Sequence, residues 1–471
     1  MVLKKKKSIV LILLVTLIVG GCATYYKQTL QFQQFITKGQ LEKAYNWIKN
    51  DNKGRNGKNK LLHYLNHGYV SWMLGNYEES NQKFHKADYI IEDYLKNYGL
   101  EALSLVSNPN VKPYKPEDFE SVILHYFTSL NYLNMGEYDK ALVECRRVNI
   151  RLQQLNDKYK DHKNRYQRDA FAHNLMGMIY EADKDYNNAF IAYRNAYEIY
   201  KKDYKEYFNM QVPEQLKYDI LRTAYLTGFS DEVRYYEKQF GIDYSYVPKP
   251  AGEVILFWMN GFGPVKDEWS LRFTKYPSSR DGYVIMKNKE LDISCPVYIG
   301  DKSENEKKAF ENLRFFKVAF PKYLERKPIY SNATIYRDRE KYDLEMAQDI
   351  NEIAFKTLHD RMLREISNAI LRIATKKALE ALADKEDETI GTLVNIANTL
   401  TEKADTRHWQ TLPYSISYAR IPLQEGENTI RLEISGRSAR KQAQEYTFEG
   451  KKGRLYFHAH HTTTTRPPRM N

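Results

Sequence analysis

Three closely spaced histidines near the C-terminus come nearest to a metal site. His458, His460 and His461 are followed by four consecutive threonines, Thr462 to Thr465. On a strand, His458 and His460 would point to the same face and could share one ion. No carboxylate or cysteine nearby in the sequence completes the ligand set that zinc requires. We therefore expect an exposed strand end that holds no metal.

Recognisable catalytic patterns are missing from the rest of the sequence. It has no phosphate-binding Gly-Lys-Ser/Thr loop, no Gly-x-Ser-x-Gly elbow and no His-Glu-x-x-His helix. His359 and the acidic pair Glu345 and Asp349 fall on a predicted helix, where such side chains are usually solvated. We predict a protein that is not an enzyme and has no cofactor, and we assign no catalytic residue.

Two arginines that flank predicted strands are the remaining binding candidates. Arg407 precedes Trp409 by two residues, and Arg420 lies at the end of a strand candidate. A guanidinium can stack on an aromatic ring and bind a carboxylate through two hydrogen bonds. These residues indicate either a contact to an anionic ligand or partner, or an internal pair that joins a helix end to the sheet. The internal pair is the favoured interpretation.

The first 22 residues have the order of a bacterial secretion signal. Lys4 to Lys7 precede an apolar run from Ile9 to Val19, which is too short to span a bilayer comfortably. Val19-Gly20-Gly21-Cys22 follows and resembles the lipobox of bacterial lipoproteins. The resemblance implies that residues 1–21 are removed and that the Cys22 thiol is acylated, which anchors the chain to a membrane. The alternative is an ordinary signal peptide or anchor with a chance cysteine.

The residue after Cys22 gives an expectation for the location. It is Ala23 and not Asp, and the sorting rule of such lipoproteins then favours the outer membrane. Because no acidic cluster follows, we expect the periplasmic face. Cys145 and Cys295 fall in different predicted domains, so we expect no disulfide between them, and Cys145 occupies a core position of a helix.

A short pattern recurs along residues 22–245. A turn residue is followed by an aromatic residue or Leu two positions later, a small residue five positions later and a larger residue nine positions later. The occurrences begin at Gly39, Gly75, Gly136 and Lys184, with Ala44, Ser80, Ala141 and Ala189 as the small residues, and a weaker unit surrounds Gly228. The pattern resembles the tetratricopeptide repeat, a helix–turn–helix unit in which the small residue allows close helix packing. The alternative is a generic helical bundle.

The repeats are expected to form an interrupted all-α solenoid. Their turns are 36, 61 and 48 residues apart, whereas a regular array repeats every 34 residues or so. Three prolines between Leu100 and Phe119 predict a loop, and the run from Tyr197 to Tyr207 is expected to be a solvated helix face. The concave face of such a solenoid usually binds a peptide or a helix of a partner.

A second domain, residues 249–458, is predicted to be α+β and rich in strands. Glu253 to Trp258 is continuously apolar after its first residue, as in a buried strand. Further strand candidates are Tyr283–Met286, Val297–Gly300, Phe315–Phe320, Ile329–Tyr336, Tyr414–Arg420, Thr429–Ser435 and Leu455–His458. The expected architecture is sandwich-like, and residues 459–471 are expected to be a disordered tail.

A helical hairpin is predicted to interrupt these strands at about residues 340–403. Apolar residues step by threes and fours from Leu344 to Leu379, and a second helix is expected from Glu388 to Lys403. The hairpin is either inserted in the β-rich domain or packed back on the repeat domain. A third possibility is an apolar stripe at the membrane surface.

The segment from Ala404 to Pro413 carries a second resemblance. Together with Ala419 to Leu423, Gly426 and the earlier Asn260 to Pro264, it is similar to a signature of an uncharacterised family of bacterial repeat-containing lipoproteins. The resemblance covers nearly the whole mature chain and implies the same order of domains. It implies no biochemical activity, and it only associates the chain with peptidoglycan synthesis.

The composition excludes several classes of protein. With 471 residues and 14% aromatic residues, the chain is neither disordered nor too short for a core. Its net charge of +12 includes four leader lysines and is too mild to indicate nucleic acid. We predict an outer-membrane lipoprotein that acts as a periplasmic docking scaffold for an envelope protein, in cell-wall synthesis or envelope assembly. The alternative is a peptidoglycan- or carbohydrate-binding protein that acts through its C-terminal domain.

Overall fold

The computed structural model describes ten stretches of the chain. They are residues 24–96, 112–158, 164–248, 251–290, 292–301, 303–304, 307, 315–362, 404–437 and 439–469. Cys22, the predicted lipidation residue, and the predicted helix Glu388 to Lys403 lie outside these residues. A region of helix pairs is followed by a β-rich region with three sheets, in the predicted order.

The first region consists of helices joined by short turns. In chain order they are α1 (Tyr25–Gln28), α2 (Leu30–Thr37), α3 (Leu41–Lys49), α4 (Asn52–Asn56), α5 (Lys60–Met73), α6 (Tyr77–Lys96), α7 (Asp118–Asn134), α8 (Tyr138–Lys158), α9 (Ala170–Ala182), α10 (Tyr186–Ile199), α11 (Lys205–Phe208), α12 (Glu214–Thr227) and α13 (Ser230–Phe240). The pairs α2–α3, α5–α6, α7–α8, α9–α10 and α12–α13 form successive tetratricopeptide-like units.

The predicted register of the repeats is confirmed at their turns. A left-handed backbone, which favours glycine because it has no Cβ, occurs at each turn residue. The φ angles are 68° at Gly39, 78° at Gly75, 76° at Gly136, 63° at Lys184 and 82° at Gly228. The small residues five positions after the first four turns are completely buried.

Close packing within a unit depends on residues without large side chains. A Cβ placed on Gly177 of α9 would lie 2.4 Å from the ring of Tyr193 on α10. In the preceding units a serine bonds the neighbouring backbone: Ser80 Oγ donates to the Gly68 oxygen at 2.8 Å, and Ser129 Oγ donates to the Ala141 oxygen at 3.0 Å. The small residues therefore set the distance between paired helices, as the repeat pattern predicts.

The second region contains strands that form three sheets. The strands are β1 (Glu253–Asn260), β2 (Val265–Pro277), β3 (Tyr283–Asn288), β4 (Ile293–Tyr298), β5 (Phe315–Leu324), β6 (Asn332–Arg337), β7 (Glu340–Asp343), β8 (Glu345–Asp349), β9 (Ser415–Pro422), β10 (Gly426–Gly436), β11 (Ala439–Gly450) and β12 (Leu455–Thr462). The central sheet has the order β12-β1-β9-β8, the outer sheet β11-β10-β6-β7, and the third sheet β4-β3-β2-β5.

Strand β1 is buried on both faces, which explains its continuous apolar sequence. Val254, Leu256 and Trp258 pack with β9, β6 and β10 in the core between the central and outer sheets. Ile255, Phe257 and Met259 join a core shared with the repeat helices. The predicted buried strand and sandwich are confirmed. The central sheet is the middle of three layers, between the outer sheet and the repeat helices.

The predicted start of the long helix is wrong. Residues 340–343 and 345–349 form β7 and β8, and α14 begins only at residue 350, with residues 350–362 described. Pairing of β7 with β6 and of β8 with β9 satisfies backbone groups along this stretch and overrides its helical spacing. Ile350, Ile353 and Leu358 of α14 belong to the core that contains the repeat helices. This part of the predicted hairpin therefore packs back on the repeats.

The prediction of a disordered tail at 459–471 is also wrong for residues 459–469, which the structure describes. Strand β12 continues to Thr462 and pairs in parallel with all of β1, from Leu455 opposite Glu253 to Thr462 opposite Asn260. Beyond the strand, Thr465 forms an isolated bridge with Pro328. Backbone pairing therefore orders a segment whose composition is typical of a solvated terminus.

Candidate functional site

The inner face of the repeat helices, where we expected a partner to bind, is filled by the chain itself. Fourteen of the 17 residues of α7 are buried, which requires cover on more than the face that α8 occupies. The central sheet supplies part of this cover, since Gln348 Nε2 of β8 donates to the Tyr126 hydroxyl of α7 at 2.8 Å. It also covers α9, where the rings of Phe171 and of Phe257 on β1 lie 6.1 Å apart. The Tyr200 hydroxyl donates to the Ala347 oxygen of β8 at 2.6 Å. From the sequence we expected a partner to dock on this face. In the described structure the face is already occupied, so that expectation is wrong.

The expectation that the run from Tyr197 to Tyr207 is a solvated helix face is wrong for part of the run. Tyr197, Tyr200 and Tyr204 are buried, so the run is not simply a solvated face. Its backbone makes a π-helical turn, Tyr200–Tyr204. Tyr200, with Tyr204 packed against it, lies on the side of the sheet, whereas the Tyr197 ring packs against Phe240 of α13 at 5.1 Å.

Residues 404–413, which we call the plug segment, lie in the groove of the first three repeats. All but Asp405 are buried. Polar contacts fix the segment to helices that are far away in the sequence: Tyr25 N donates to Thr406 Oγ1 at 3.3 Å, Thr29 Oγ1 to Gln410 Oε1 at 3.2 Å, Thr411 Oγ1 to Asn66 Oδ1 at 2.9 Å, and Trp409 N to Glu120 Oε1 at 2.5 Å. The plug segment thus occupies the groove as a bound peptide would.

Trp409 is the apolar anchor of the plug segment. Its ring is 2% exposed and packs against Tyr69, Phe84 and Phe127, with ring centroids 5.8 to 6.2 Å away. The indole Nε1 donates to Thr411 Oγ1 at 2.8 Å. The side chain is therefore satisfied internally and presents no surface to a partner.

Arg407 makes an internal Arg–carboxylate pair within the same segment. Its Nε and Nη2 donate to Asp405 at 2.9 and 2.7 Å, while Nη1 donates to Asn59 Oδ1 at 3.2 Å and to the Lys112 oxygen at 3.0 Å. The guanidinium lies 5.5 Å from the ring centroid of Tyr114. Arg407 joins the plug segment to the helices through Asn59 and Lys112, while its carboxylate partner Asp405 lies in the same segment.

Arg420 is the centre of a buried charge network between the sheet and the repeats. Its Nη1 lies 2.8 Å from Glu181 Oε2 and 2.9 Å from Asp219 Oδ1, and its Nε lies 3.2 Å from Glu253 Oε2. Arg222 contacts the same Glu181 and Asp219, both at less than 3 Å. Burial raises the pKa of Asp219 to about 6. The network links β9 and β1 to α9 and α12.

A second buried charge cluster was not predicted from the sequence. Lys266 of β2 and Arg361 of α14 both contact Glu117, at the start of α7. Burial opposes ionisation of Glu117, but Arg361 and Lys266 together lower its pKa to about 2. Burial and the neighbouring Glu117 raise the pKa of Glu120 to about 7.

The local sequence does contain one signal for this cluster. Glu117 N donates to Glu120 Oε2 at 3.0 Å in a capping box, whose two acidic residues three positions apart mark a helix start. That signal locates the helix, but it does not identify Lys266, which is 149 residues away.

The C-terminal histidines divide between the two faces of β12. His460 Nδ1 and the Tyr446 hydroxyl lie 2.6 Å apart, and the His458 ring also contacts Tyr446, so these two histidines share a face as predicted. His461 lies on the other face, with its ring 4.5 Å from Trp72. Burial lowers the pKa of His460 to about 4 and that of His461 to about 3. Among the described residues, no three His, Cys, Asp or Glu side chains are arranged to hold a metal ion.

Comparisons with known proteins concern the repeat region. No family model and no curated protein matches the chain. The crystal structure of MamA protein is 17% identical and covers 47% of this chain and 96% of its own, with a TM-score of 0.29. A putative kinesin light chain of Podosopora anserina with nearly identical TPR-like repeats is 10% identical and covers 45% of this chain and 90% of its own, with a TM-score of 0.30.

Cys145 is buried and unpaired, as expected for a core position, and burial raises the pKa of its thiol to about 12. Within the ranges described, no helix combines the length and the apolar character that crossing a membrane requires.

Proposed function

We propose that this chain is a non-enzymatic, lipid-anchored scaffold of the outer membrane, which faces the periplasm and docks an envelope protein. Its role would lie in cell-wall synthesis or envelope assembly. Tetratricopeptide-like repeats support this proposal because such arrays generally act as binding surfaces for proteins. The order of leader lysines, apolar run and Val19-Gly20-Gly21-Cys22 supports the anchor.

The observation that carries the docking role is the apolar character of the outer helices. The second helix of four units exposes large apolar side chains to solvent: Tyr89 on α6, Val143 and Ile150 on α8, Ile191 on α10 and Tyr235 on α13. Tyr89 is 77% exposed and Tyr235 58%. Because the inner face is filled by the plug segment and the central sheet, a partner would use this outer face.

Crosslinking in intact cells, with the partner identified by mass, tests the docking role. The double variant Tyr89→Ser and Ile150→Ser should lose the crosslinked partner. A matched control, Gln82→Ser with Gln153→Ser, changes exposed polar residues on the same two helices and should keep it. Equal recovery of the partner by both variants would count against docking on the outer face.

Membrane fractionation tests the anchor separately. Cys22→Ala removes the thiol that acylation requires, so the variant should leave the membrane fraction, while Cys145→Ala should remain there. Continued sedimentation of Cys22→Ala with the outer membrane would contradict the lipid anchor.

A depression on the outer sheet favours glycan binding as a second candidate function. Its volume is about 380 Å³, it is open to solvent, and it is lined by Tyr336, Asp338, Thr429, Arg431, Glu433 and Lys441. One aromatic ring among several hydrogen-bonding groups suits a sugar. The full chain should then sediment with purified sacculi, and Tyr336→Ala with Arg431→Ala should abolish this. Failure of the wild-type chain to sediment would exclude the glycan role.

A further inference from the structure

Strand β11 is a long edge strand with a free side. It lies at the end of the outer sheet and pairs with β10 through most of its 12 residues. No other strand of the described residues pairs with its far side. Residues 440–445 are all exposed. An unpaired edge of this length offers backbone groups to another strand.

The backbone directions show which residues of β11 face outward. The Ser435 oxygen accepts a hydrogen bond from Ser331 N, so odd-numbered residues of β10 direct their polar groups toward β6. In an antiparallel ladder, the β11 residues opposite them direct their own groups away from β10. Ala443 lies opposite Glu433 and Glu445 opposite Arg431.

Two further contacts agree with this assignment. The Glu449 oxygen accepts from the Tyr456 hydroxyl at 2.6 Å, and the Glu445 oxygen accepts from Gln444 Nε2 at 3.1 Å. Because successive residues of a strand direct their N–H and C=O groups to opposite sides, Ala443, Glu445 and Thr447 direct theirs to the outer edge.

The charges along this edge are self-complementary. Lys441 and Glu445 lie two residues on either side of Ala443. The ladder is irregular between Ala439 and Gln442, but Lys441 contacts Glu433, the residue opposite Ala443, and so lies on the same face of the sheet. Glu445 shares this face by strand alternation. In an antiparallel pairing of two copies centred on Ala443, each Lys441 lies opposite the Glu445 of the other copy. Pairings centred on Lys441 or on Glu445 would instead place two like charges opposite each other, which is destabilising.

The pairing centred on Ala443 also continues the alternation of positive and negative side chains across the outer sheet. On the outer face of the sheet, Arg431 and Lys441 both contact Glu433. The Glu445 of the second copy would lie next to Lys441 and extend this alternation of signs across the junction. On the opposite face, Gln442 would lie opposite Gln444, which allows hydrogen bonds between their amides.

We propose that two copies of this chain associate through β11, in an antiparallel pairing about a twofold axis at Ala443. The outer sheets of the two copies then form one continuous sheet of eight strands. Such a contact is closed, because the same patch is used by both copies, and it removes the free edge. The proposal goes beyond the scaffold role and does not depend on the lipid anchor or the docking partner.

The oligomeric state of charge variants, measured by sedimentation of the full chain in mild detergent, tests the proposal. The wild type should be a dimer at about 100 µM. Lys441→Glu and Glu445→Lys should each be monomeric, because each places like charges opposite each other. An equimolar mixture of the two variants restores opposite charges at both positions and should be dimeric. Lys452→Glu, which changes an exposed charge outside the strand, should stay dimeric.

A backbone variant tests the same contact independently. Ala443→Pro removes an outward N–H that β10 does not use, and proline is tolerated on such an edge. It should be monomeric with a melting temperature close to that of the wild type, whereas Ala443→Ser should remain dimeric. A monomeric wild type at this concentration would overturn the proposal. So would dimers that survive in both single charge variants and in Ala443→Pro.

Discussion

Gly177 shows how a single missing side chain sets the distance between two helices. An alanine at a helix interior normally stabilises by about 0.5–1 kcal/mol relative to glycine. Here the added Cβ would lie 2.4 Å from the Tyr193 ring, and overpacking of this kind costs about 1–3 kcal/mol. We expect Gly177→Ala to lower the melting temperature measured by circular dichroism. A higher melting temperature would show that helix propensity outweighs the contact.

Lys184 occupies a repeat turn where the other units have glycine. Removing its side chain should stabilise the protein, whereas adding one at Gly177 should destabilise it. Lys184 adopts a φ of 63° where the other units have glycine, and a left-handed residue with a Cβ costs roughly 1–2 kcal/mol. Lys184→Gly should therefore raise the free energy of unfolding by about 1 kcal/mol. The reverse change, Gly136→Lys, meets open space and should lower it by a similar amount through conformation alone. No difference between the two variants in denaturant unfolding would contradict the assigned turn geometry.

Glu120 should make the stability of the protein depend on pH. Its pKa is raised to about 7 in the fold from an ordinary value of 4.5, so its favourable contribution is complete below pH 4.5 and is lost as the pH rises through 7. Glu120→Gln cannot ionise. The stability of this variant relative to the wild type should therefore increase over that interval, by on the order of 3 kcal/mol.

The measurement is a series of unfolding curves from pH 4.5 to 8. The control Glu427→Gln changes an exposed carboxylate, and its curves should run parallel to those of the wild type. Parallel curves for Glu120→Gln as well would mean that Glu120 is already ionised in the fold.

At the scale of elements, Arg420 ties a strand of the central sheet to two repeat helices. Without it, the carboxylates of Glu181, Asp219 and Glu253 would lose the cation that they share. Removing one partner of a buried ion pair typically costs about 3–5 kcal/mol. We expect Arg420→Met to lower the free energy of unfolding by this amount, and addition of Asp219→Asn should recover part of the loss.

The matched control is Arg431→Met, on the exposed face of the outer sheet. It should change the free energy of unfolding by less than about 0.5 kcal/mol. Equal effects of Arg420→Met and Arg431→Met in denaturant unfolding would refute a structural role for the Arg420 network.

The elements that the sequence predicted correctly follow local rules. A left-handed turn and a small residue five positions later identify each repeat, and continuous apolar residues identify β1, because each pattern lies within a few residues. The strands β7 and β8 and the end of β12 could not be predicted in this way. Their state is decided by pairing with β6, β9 and β1, which lie far away in the sequence.

The candidate site shows the same division between local and distant information. The sequence identified Arg407, Trp409 and Arg420 as binding candidates. In the structure Arg420 contacts carboxylates of two helices, and Arg407 contacts one in its own segment. It could not show that the plug segment fills the groove, because that depends on contacts such as Thr29 with Gln410, which are 381 residues apart. The solenoid pattern by itself predicts an open inner face.

At the scale of the whole molecule, the repeats and the sandwich share one hydrophobic core. That core combines side chains from the repeat helices with Ile255, Phe257 and Tyr418 of the central sheet. The second domain therefore uses the inner face of the solenoid as one of its own layers. Separation of the halves would expose a contiguous apolar surface on each, and surfaces of that kind cause aggregation.

This shared core predicts that neither half folds alone. Residues 251–469 expressed without the repeats should be insoluble or should melt without a cooperative transition, and residues 24–248 should behave in the same way. Co-expression of the two fragments should give a soluble complex that elutes as one species in gel filtration. A monomeric fragment 251–469 with a sharp thermal transition would contradict the prediction, since it would require the inner face of the central sheet to be stable in water.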